Sequence, residues 1–408
     1  MDRLSSRSKL EPADWASALV ANLLILGVLV YAKALLWWDP DLFYRSVQED
    51  EALEWATFWA FAIAAIVAFH AAARQRRNGV RIPWFLVGVG IFCFAVAMEE
   101  ISWGQRLLGY RPPAYFLAEN YQQELNFHNV ISTSLRKVGL KAVILGYGVL
   151  LPLLARVPSI AARLEKAAVV AAPWTLLPSF LAAFLTYQIY PWKFSGELVE
   201  LMLGLGFLFA LLISRGTGSS SVVRPRSERY RWARLLAAWI VVALLGFLTA
   251  VAVHALSREQ PEKLQAAAIE TEALMRDLLS LPEIRCNTHK RAYTFRQQNQ
   301  ADELERGAFA SLIEQGLAEE RASFFLDPWN SPYWIRHRCD DDGVTTLLVV
   351  YSFGPNRRRD STRTEILGDD IGVLVSSETV DSESNRPDLN DDPEAGSGGV
   401  PHPNSGSD

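Results

Sequence analysis

A run of acids, amides and one histidine interrupts the apolar sequence in MEEISWGQRLLGYRPPAYFLAENYQQELNFHN, Met98 to Asn129. It sets Glu99, Glu100, Arg106, Glu124 and His128 directly after a hydrophobic stretch. A second pair, Glu197 and Glu200 in WKFSGELVELML, stands at i, i+3 where another apolar stretch begins, so one helix face would carry both. Ionisable groups at membrane depth are costly and usually face a bundle interior or a water-filled cavity. Carboxylates from two helices together with His128 are the ligand types that zinc and other transition metals take. The same groups suit proton transfer or hydrolysis, with burial raising the proton affinity of one carboxylate. A structural reading is also open: the groups cap helix ends, pair with Arg106 and Arg111, and bond loop backbone. The spacing matches neither an H-E-x-x-H zinc motif nor a serine nucleophile elbow. A helix continued through EEISWGQRLLG would align Glu99, Trp103 and Arg106 by i+4 and i+7 steps, before Pro112-Pro113 stops it.

These residues need apolar helices to position them. The chain has 408 residues, 13 Trp and 20 Phe, and half of it is hydrophobic. Seven apolar runs are long enough, or nearly so, for a bilayer core of ~30 Å: 15–37, 51–73, 82–99, 138–155, 168–190, 197–214 and 232–256. Trp37, Trp38, Trp84, Trp192 and Trp232 sit at run ends, where interfacial aromatics anchor. Lys and Arg concentrate in the N-terminal tail and in alternate connections, most densely in Arg224, Arg226, Arg229, Arg231 and Arg234. The positive-inside rule then puts the N-terminus in the cytoplasm, and an odd number of crossings puts everything after Leu256 outside it. The expected organisation is a tail at 1–14, a seven-helix membrane domain at 15–256, an extracytoplasmic domain at 257–375 and an acidic, disordered tail at 376–408. A net charge of −5, unevenly placed, gives no reason to expect nucleic acid as a partner; membrane lipid is the expected surroundings. The polar block EEISWGQR…ENYQQELNFHN resembles one found in uncharacterised polytopic bacterial membrane proteins, which implies a bacterial inner membrane but names no reaction.

Beyond Ser257 the composition turns polar. SREQPEKLQAAAIETEALMRDLLSL reads as a long helix, with Pro261 as a kink or restart. ADELERGAFASLIEQGLAEERA spaces Phe309, Leu312, Ile313 and Leu317 as a second helix would. SPYWIRHR and VTTLLVVYSF are aromatic and β-branched, and CDDDG between them can turn at Gly343. The expected class here is α+β, a long helix packed on an antiparallel hairpin. Cys286 and Cys339 are placed to form a disulfide in an oxidising compartment, or else remain two thiols.

In this domain DPWNSPYWI, then YSFGPN, then GDDIGV follow one another in an order that resembles the C-terminal globular part of the type II secretion system protein G, the major pseudopilin. The matching residues are Asp327, Pro328, Trp329, Tyr333, Tyr351, Ser352, Gly354, Asn356, Asp369, Asp370, Ile371 and Gly372. The resemblance spans about 50 residues closely, and at most about 120 of the chain. It implies a periplasmic pseudopilin-like fold, an envelope or secretion-system protein as partner, and a loop stabilised by calcium. Asn356, Asp369 and Asp370 carry over as ligands by motif position; Asp360 joins them by proximity in sequence. Arg357, Arg358, Arg359 and Arg363 interrupt this loop and offer an alternative, direct ion pairing in place of calcium. Asn330 stands where the family has glycine, a position asparagine can fill in a left-handed conformation. The family's filament role does not carry over, because a multi-pass membrane body cannot stack as a pilin helix does.

Overall fold

A computed structural model describes residues 12–48, 50–77, 83–120, 122–214, 231–257, 260–280, 286–299, 308–314, 316–343, 345–357, 359–362 and 365–376. The expected tail at 376–408 lies outside them from residue 377 on, as do residues 1–11, Arg358, Arg363 and the side chain of Arg106. The chain folds as two compact units. The first comprises Met1–Leu108 and Glu119–Val253; the second comprises Gly109–Ala118 and His254–Asp408.

The first unit is helical: α1 (Pro12–Trp38), α2 (Pro40–Ser46), α3 (Ala52–Arg77), α4 (Trp84–Glu100), α5 (Gln105–Leu108), α6 (Ala114–Glu119, shared with the second unit), α7 (Thr133–Leu145), α8 (Pro158–Lys166), α9 (Leu177–Ile189), α10 (Ser195–Ser214) and α11 (Arg231–Ser257). Among the described residues, five helical stretches are long and apolar enough to cross a membrane: Asp14–Trp38, Ala52–Arg77, Thr133–Leu154, Ser195–Ser214 and Arg231–Leu256. The runs at 82–99 and 168–190 form shorter apolar helices, α4 and Trp174–Ile189. Helix α10 is the most enclosed, buried against α1, α3 and α9. Its Gly204 lets the ring of Phe61 and the methyl of Ala60 approach, and Gly206 does the same for Phe180. Without a hydrophobic force between helices in lipid, such close packing is what associates them.

One contact orders the helix ends. Arg231, first residue of α11, donates to Asp14 in the first turn of α1 at 3.0 Å. Both helices therefore start at one end of the bundle, and the chain leaves α11 at the other.

In the second unit, α12 (Pro261–Ser280) begins at the proline, whose missing N–H is no loss in a first turn. Then come β1 (Thr288–Arg291), α13 (Ala292–Asn299), α14 (Ala308–Glu314), α15 (Glu319–Ser323), β2 (Trp334–Cys339), β3 (Thr345–Ser352) and β4 (Ile371–Ser376). The strands form one antiparallel sheet in the order β1-β2-β3-β4. Leu274, Met275 and Leu278 of α12 pack with Phe295, Phe309, Phe325, Tyr333, Ile335, Leu348 and Val350 into its core. Gly316, at φ 103°, separates α14 from α15, so the second helix expected from the sequence is broken where its described part passes that residue. The segment 109–118 belongs here: Asn330 Nδ2 donates to the Gly109 carbonyl, and Arg111 pairs with Glu320.

The DPWNSP turn is built by Asp327. Its Oδ1 accepts from the backbone N–H of Trp329 (2.9 Å) and Ser331 (2.8 Å), and its Oδ2 accepts from the Ser352 hydroxyl (2.5 Å). Asn330 takes φ 62°. Burial pushes the Asp327 carboxyl up to about 6, although these hydrogen bonds and Arg357 act to lower it. The folded chain therefore holds this proton more tightly than the unfolded chain does. Stability from the group is full below about pH 4 and is lost as pH rises through 6, on the order of 3 kcal/mol. Unfolding of the detergent-solubilised protein should show this loss between pH 4 and 7, and Asp327→Asn should flatten the slope. An identical slope in that variant would refute the assignment.

Candidate functional site

The polar block does not continue α4. The helix ends at Glu100, and Ser102, Trp103 and Gly104 take left-handed conformations at φ 46°, 56° and 81°. The expected helical face through Glu99, Trp103 and Arg106 is thus absent. For two non-glycine residues this turn costs about 1–2 kcal/mol each, which a dense set of hydrogen bonds offsets. Trp103 Nε1 still reaches Glu99, but by folding back, at 2.7 Å from Oε1.

The loop 119–129 is fixed from inside by amides. Asn120, fully buried, donates to the carbonyls of Glu124 (2.7 Å) and Asn126 (3.0 Å) and to Asn126 Oδ1 (2.7 Å). Gln105 Oε1 accepts from the Leu125 N–H at 2.7 Å. Ser102 donates to Glu124 Oε2 at 2.6 Å, and Asn126 Nδ2 donates to both Ser102 Oγ and Glu124 Oε2 at 3.2 Å. Glu124 is therefore a scaffold residue. The network delivers residues 127 and 128 to Glu99, whose Oε2 accepts from the N–H of Phe127 (2.6 Å) and His128 (3.0 Å) and lies 3.3 Å from His128 Nδ1. A carboxylate on Nδ1 fixes the imidazole tautomer and leaves Nε2 as the working nitrogen. The His128 side chain is 40% exposed, against 17% for Glu99.

Groups from five helix ends act electrostatically on one another beside this pair. Glu100 lies in the electrostatic field of Glu200, Glu197, Glu54 and Glu99. Glu200 lies in that of His128 and Arg136, and Tyr187 in that of Glu200, Arg136 and Glu197. These residues belong to the start of α3, the end of α4, the start of α7, the end of α9 and the start of α10. The starts of α3 and α10 bring positive dipole ends toward the acids. Trp55 Nε1 and Ser195 Oγ, in the first turns of α3 and α10, are buried donors with no hydrogen-bond partner among the described residues. Buried donors of that kind are normally satisfied by water or a ligand.

No protein-family model, curated protein or solved structure matches this chain. Glu99, Glu100, His128, Glu197 and Glu200 come together, Glu124 stands behind them, and Glu54, Tyr187 and Arg136 join them. Glu54 and Tyr187 carry no motif signal; only their places at helix ends, in EDEALEWA and LTYQIYPW, put them within reach. Among the described residues, these acids and His128 do not bring three donor atoms within 4.8 Å of one another, as a preformed metal centre would.

In the second unit, Asn356, Asp360 and Asp370 meet. Asn356 Nδ2 donates to Asp360 Oδ2 at 2.7 Å, and Asp360 Oδ2 accepts from the Asp369 N–H at 3.2 Å. Asp370 Oδ2 accepts from the N–H of Asp360 (3.1 Å) and Ser361 (2.8 Å). The loop is thus clasped by its own backbone. Asp370 Oδ1 is buried with no hydrogen-bond partner among the described residues, and burial pushes this carboxyl up to about 7. Gly354, at φ 64°, permits the clasp, because a Cβ there would strike the Asp369 carbonyl. Cys286 and Cys339 form a disulfide with Cα atoms 5.5 Å apart, and Cys93 is a buried thiol of the first unit.

Proposed function

We propose that this protein is a multi-pass bacterial inner-membrane protein whose bundle holds a cation-binding, proton-exchanging site at its outer boundary, the working site of a transporter or a membrane-embedded enzyme. The grouping of Glu54, Glu99, Glu197 and Glu200 about Glu100, with His128 bonded to Glu99 and acting on Glu200, carries the reading. So many acids facing one histidine and one arginine favour a positively charged guest. Glu99 orients His128 as a base or ligand, while Glu100 and Glu200 supply oxygens. The common starting end of α1 and α11 supports seven crossings with the N-terminus in the cytoplasm and residues after 256 in the periplasm, as the Lys/Arg bias expects. The disulfide fits that oxidising compartment.

The second unit supports a further role of its own. A long helix on an antiparallel sheet with an Asp-clasped loop fits a pseudopilin-like module that binds an envelope or secretion-system protein, without a filament role. Calcium would be held there by Asp360, Asp370 and the Asn356 side-chain oxygen, the residues that meet in the loop; Asp369 takes part through its backbone N–H. The orphaned Asp370 Oδ1 fits that ion, and calcium would supply charge balance and loop rigidity.

Hydrogen exchange on the full chain in detergent, with manganese(II) or calcium(II) added, separates the two sites. Manganese should protect residues 99–128 and 195–205, and Glu100→Gln with Glu200→Gln should abolish that protection, while Glu165→Gln on exposed α8 leaves it. Saturation at 100 times the dissociation constant corresponds to ~2.7 kcal/mol of protection. Calcium should protect 354–371. Manganese without effect at 99–128 sinks the bundle site; calcium without effect at 354–371 sinks the loop site.

A further inference from the structure

The hairpin end of the second unit gathers a different set of donors. On β2, His337 and Cys339 stand two residues apart and so share a face, and a register irregularity at Arg338/Cys339 re-aims the cysteine. β1 pairs Thr288 with His337, which carries Cys286 across to the same place. Donor atoms of Cys286, His337 and Cys339 lie within 4.8 Å of one another. His337 is buried, at 2% exposure, and the two cysteines are half-buried.

We infer that reduction of the disulfide opens a zinc-type metal site made of Cys286, Cys339 and His337. A tetrahedral ion with bonds of ~2.3 Å to sulfur and ~2.05 Å to nitrogen separates those two atoms by roughly 3.5 Å. Cys339 Sγ lies 3.6 Å from His337 Nε2. Two thiolates on the same ion stand roughly 3.8 Å apart, a spacing that side-chain rotation reaches from Cα atoms 5.5 Å apart. Nε2 now faces Thr345 Oγ1 at 2.9 Å, a hydroxyl that must turn away as the metal enters. The Cys286 Sγ also lies 3.9 Å from the Gly343 carbonyl. The fourth position opens toward solvent and takes water. Soft thiolates with imidazole select zinc and its neighbours and exclude magnesium and calcium, which sets this site apart from the acidic loop.

A dithiol reductant gives two electrons and two protons to the Cys286–Cys339 bond and closes to its own disulfide. The divalent ion then displaces both thiol protons, and His337 contributes its neutral Nε2. Oxidation reverses the sequence and expels the ion, so the same two sulfurs clamp the sheet either by a covalent bond or through a metal.

Cobalt(II) is the probe, added to the full chain in detergent on a Cys93→Ala background after reduction by a phosphine. The reduced chain should bind one cobalt more than the oxidised chain does, with a thiolate charge-transfer band and tetrahedral ligand-field bands that are both missing from the oxidised protein. His337→Gln should lose the tetrahedral bands. Zinc should restore the hydrogen-exchange protection that reduction removes at 286–291 and 334–339. No band in the reduced chain, a band unchanged in His337→Gln, or a band without restored protection would each overturn the assignment.

Discussion

Replacing Cys339 by serine is expected to lower the stability of the second unit by about 4 kcal/mol. The bond joins positions 53 residues apart, and closing a loop of that length in the unfolded chain is worth about 4 kcal/mol in the chain-entropy view. The native structure gives this loop few local substitutes. β1 has four residues, and it pairs with β2 across a connection of more than forty, so its register depends on the far end being tied. Without the bond, β1 should fray first, from Thr288 toward Arg291. The measurement is hydrogen exchange of the full chain in detergent with a metal chelator present, read on peptides from β1, β2 and α12. Reduced wild-type protein should match Cys339→Ser, and reducing the variant should change nothing more. A loss below 1 kcal/mol would mean that the sheet is held by packing alone.

Parts of this architecture could be read in advance because their signals are local. The β2–β3 hairpin follows from the aromatic and β-branched residues of SPYWIRHR and TTLLVVYS, and the left-handed Asn330 follows from asparagine's tolerance of that conformation. Pro261 marks the start of α12 because proline suits a first turn. Other features are decided at a distance. THKR has little strand character of its own and becomes β1 by pairing with β2. Ser102 and Trp103 have no local reason to be left-handed; Glu99, Glu124 and Asn126 hold the turn that contains them from both sides. Glu99, Glu100, Glu197 and Glu200 were visible as residue types, and His128 with them, whereas Glu54 was not. That they meet was not visible, because it depends on which ends of five helices come together. Likewise, the stretch after Leu108 looks like a loop of the membrane half, but its partners Glu320 and Asn330 lie about 200 residues on.

The largest single loss is expected from Arg321→Met. Glu270 is buried on α12, at 4% exposure, with one oxygen paired to Arg321 and the other accepting from the Tyr333 hydroxyl at 2.8 Å. Burial raises the Glu270 carboxyl above its ordinary range, and Arg321 works against that rise. Burial also raises the Tyr333 phenol, so it stays a donor. Removing the guanidinium leaves a buried carboxylate without its counter-charge, a change that costs about 3–5 kcal/mol when a buried pair is broken from one side. Tyr333→Phe removes only one hydrogen bond to a charged acceptor and should cost about 1.5–3 kcal/mol. Replacing all three, Glu270→Leu with Arg321→Met and Tyr333→Phe, should recover most of the loss, because the desolvation cost vanishes with the charge and no buried hydroxyl is left without its acceptor. The single variant also carries a pH signature. Without Arg321 the folded-state pKa of Glu270 rises further above its unfolded value, so the penalty is largest at neutral pH and shrinks as the solution is acidified toward pH 4. A merely lost packing contact would cost the same at both pH values. Denaturant unfolding of Arg321→Met at pH 4.5 and pH 7.5 therefore decides between an electrostatic clamp on α12 and a simple filler between α12 and α15.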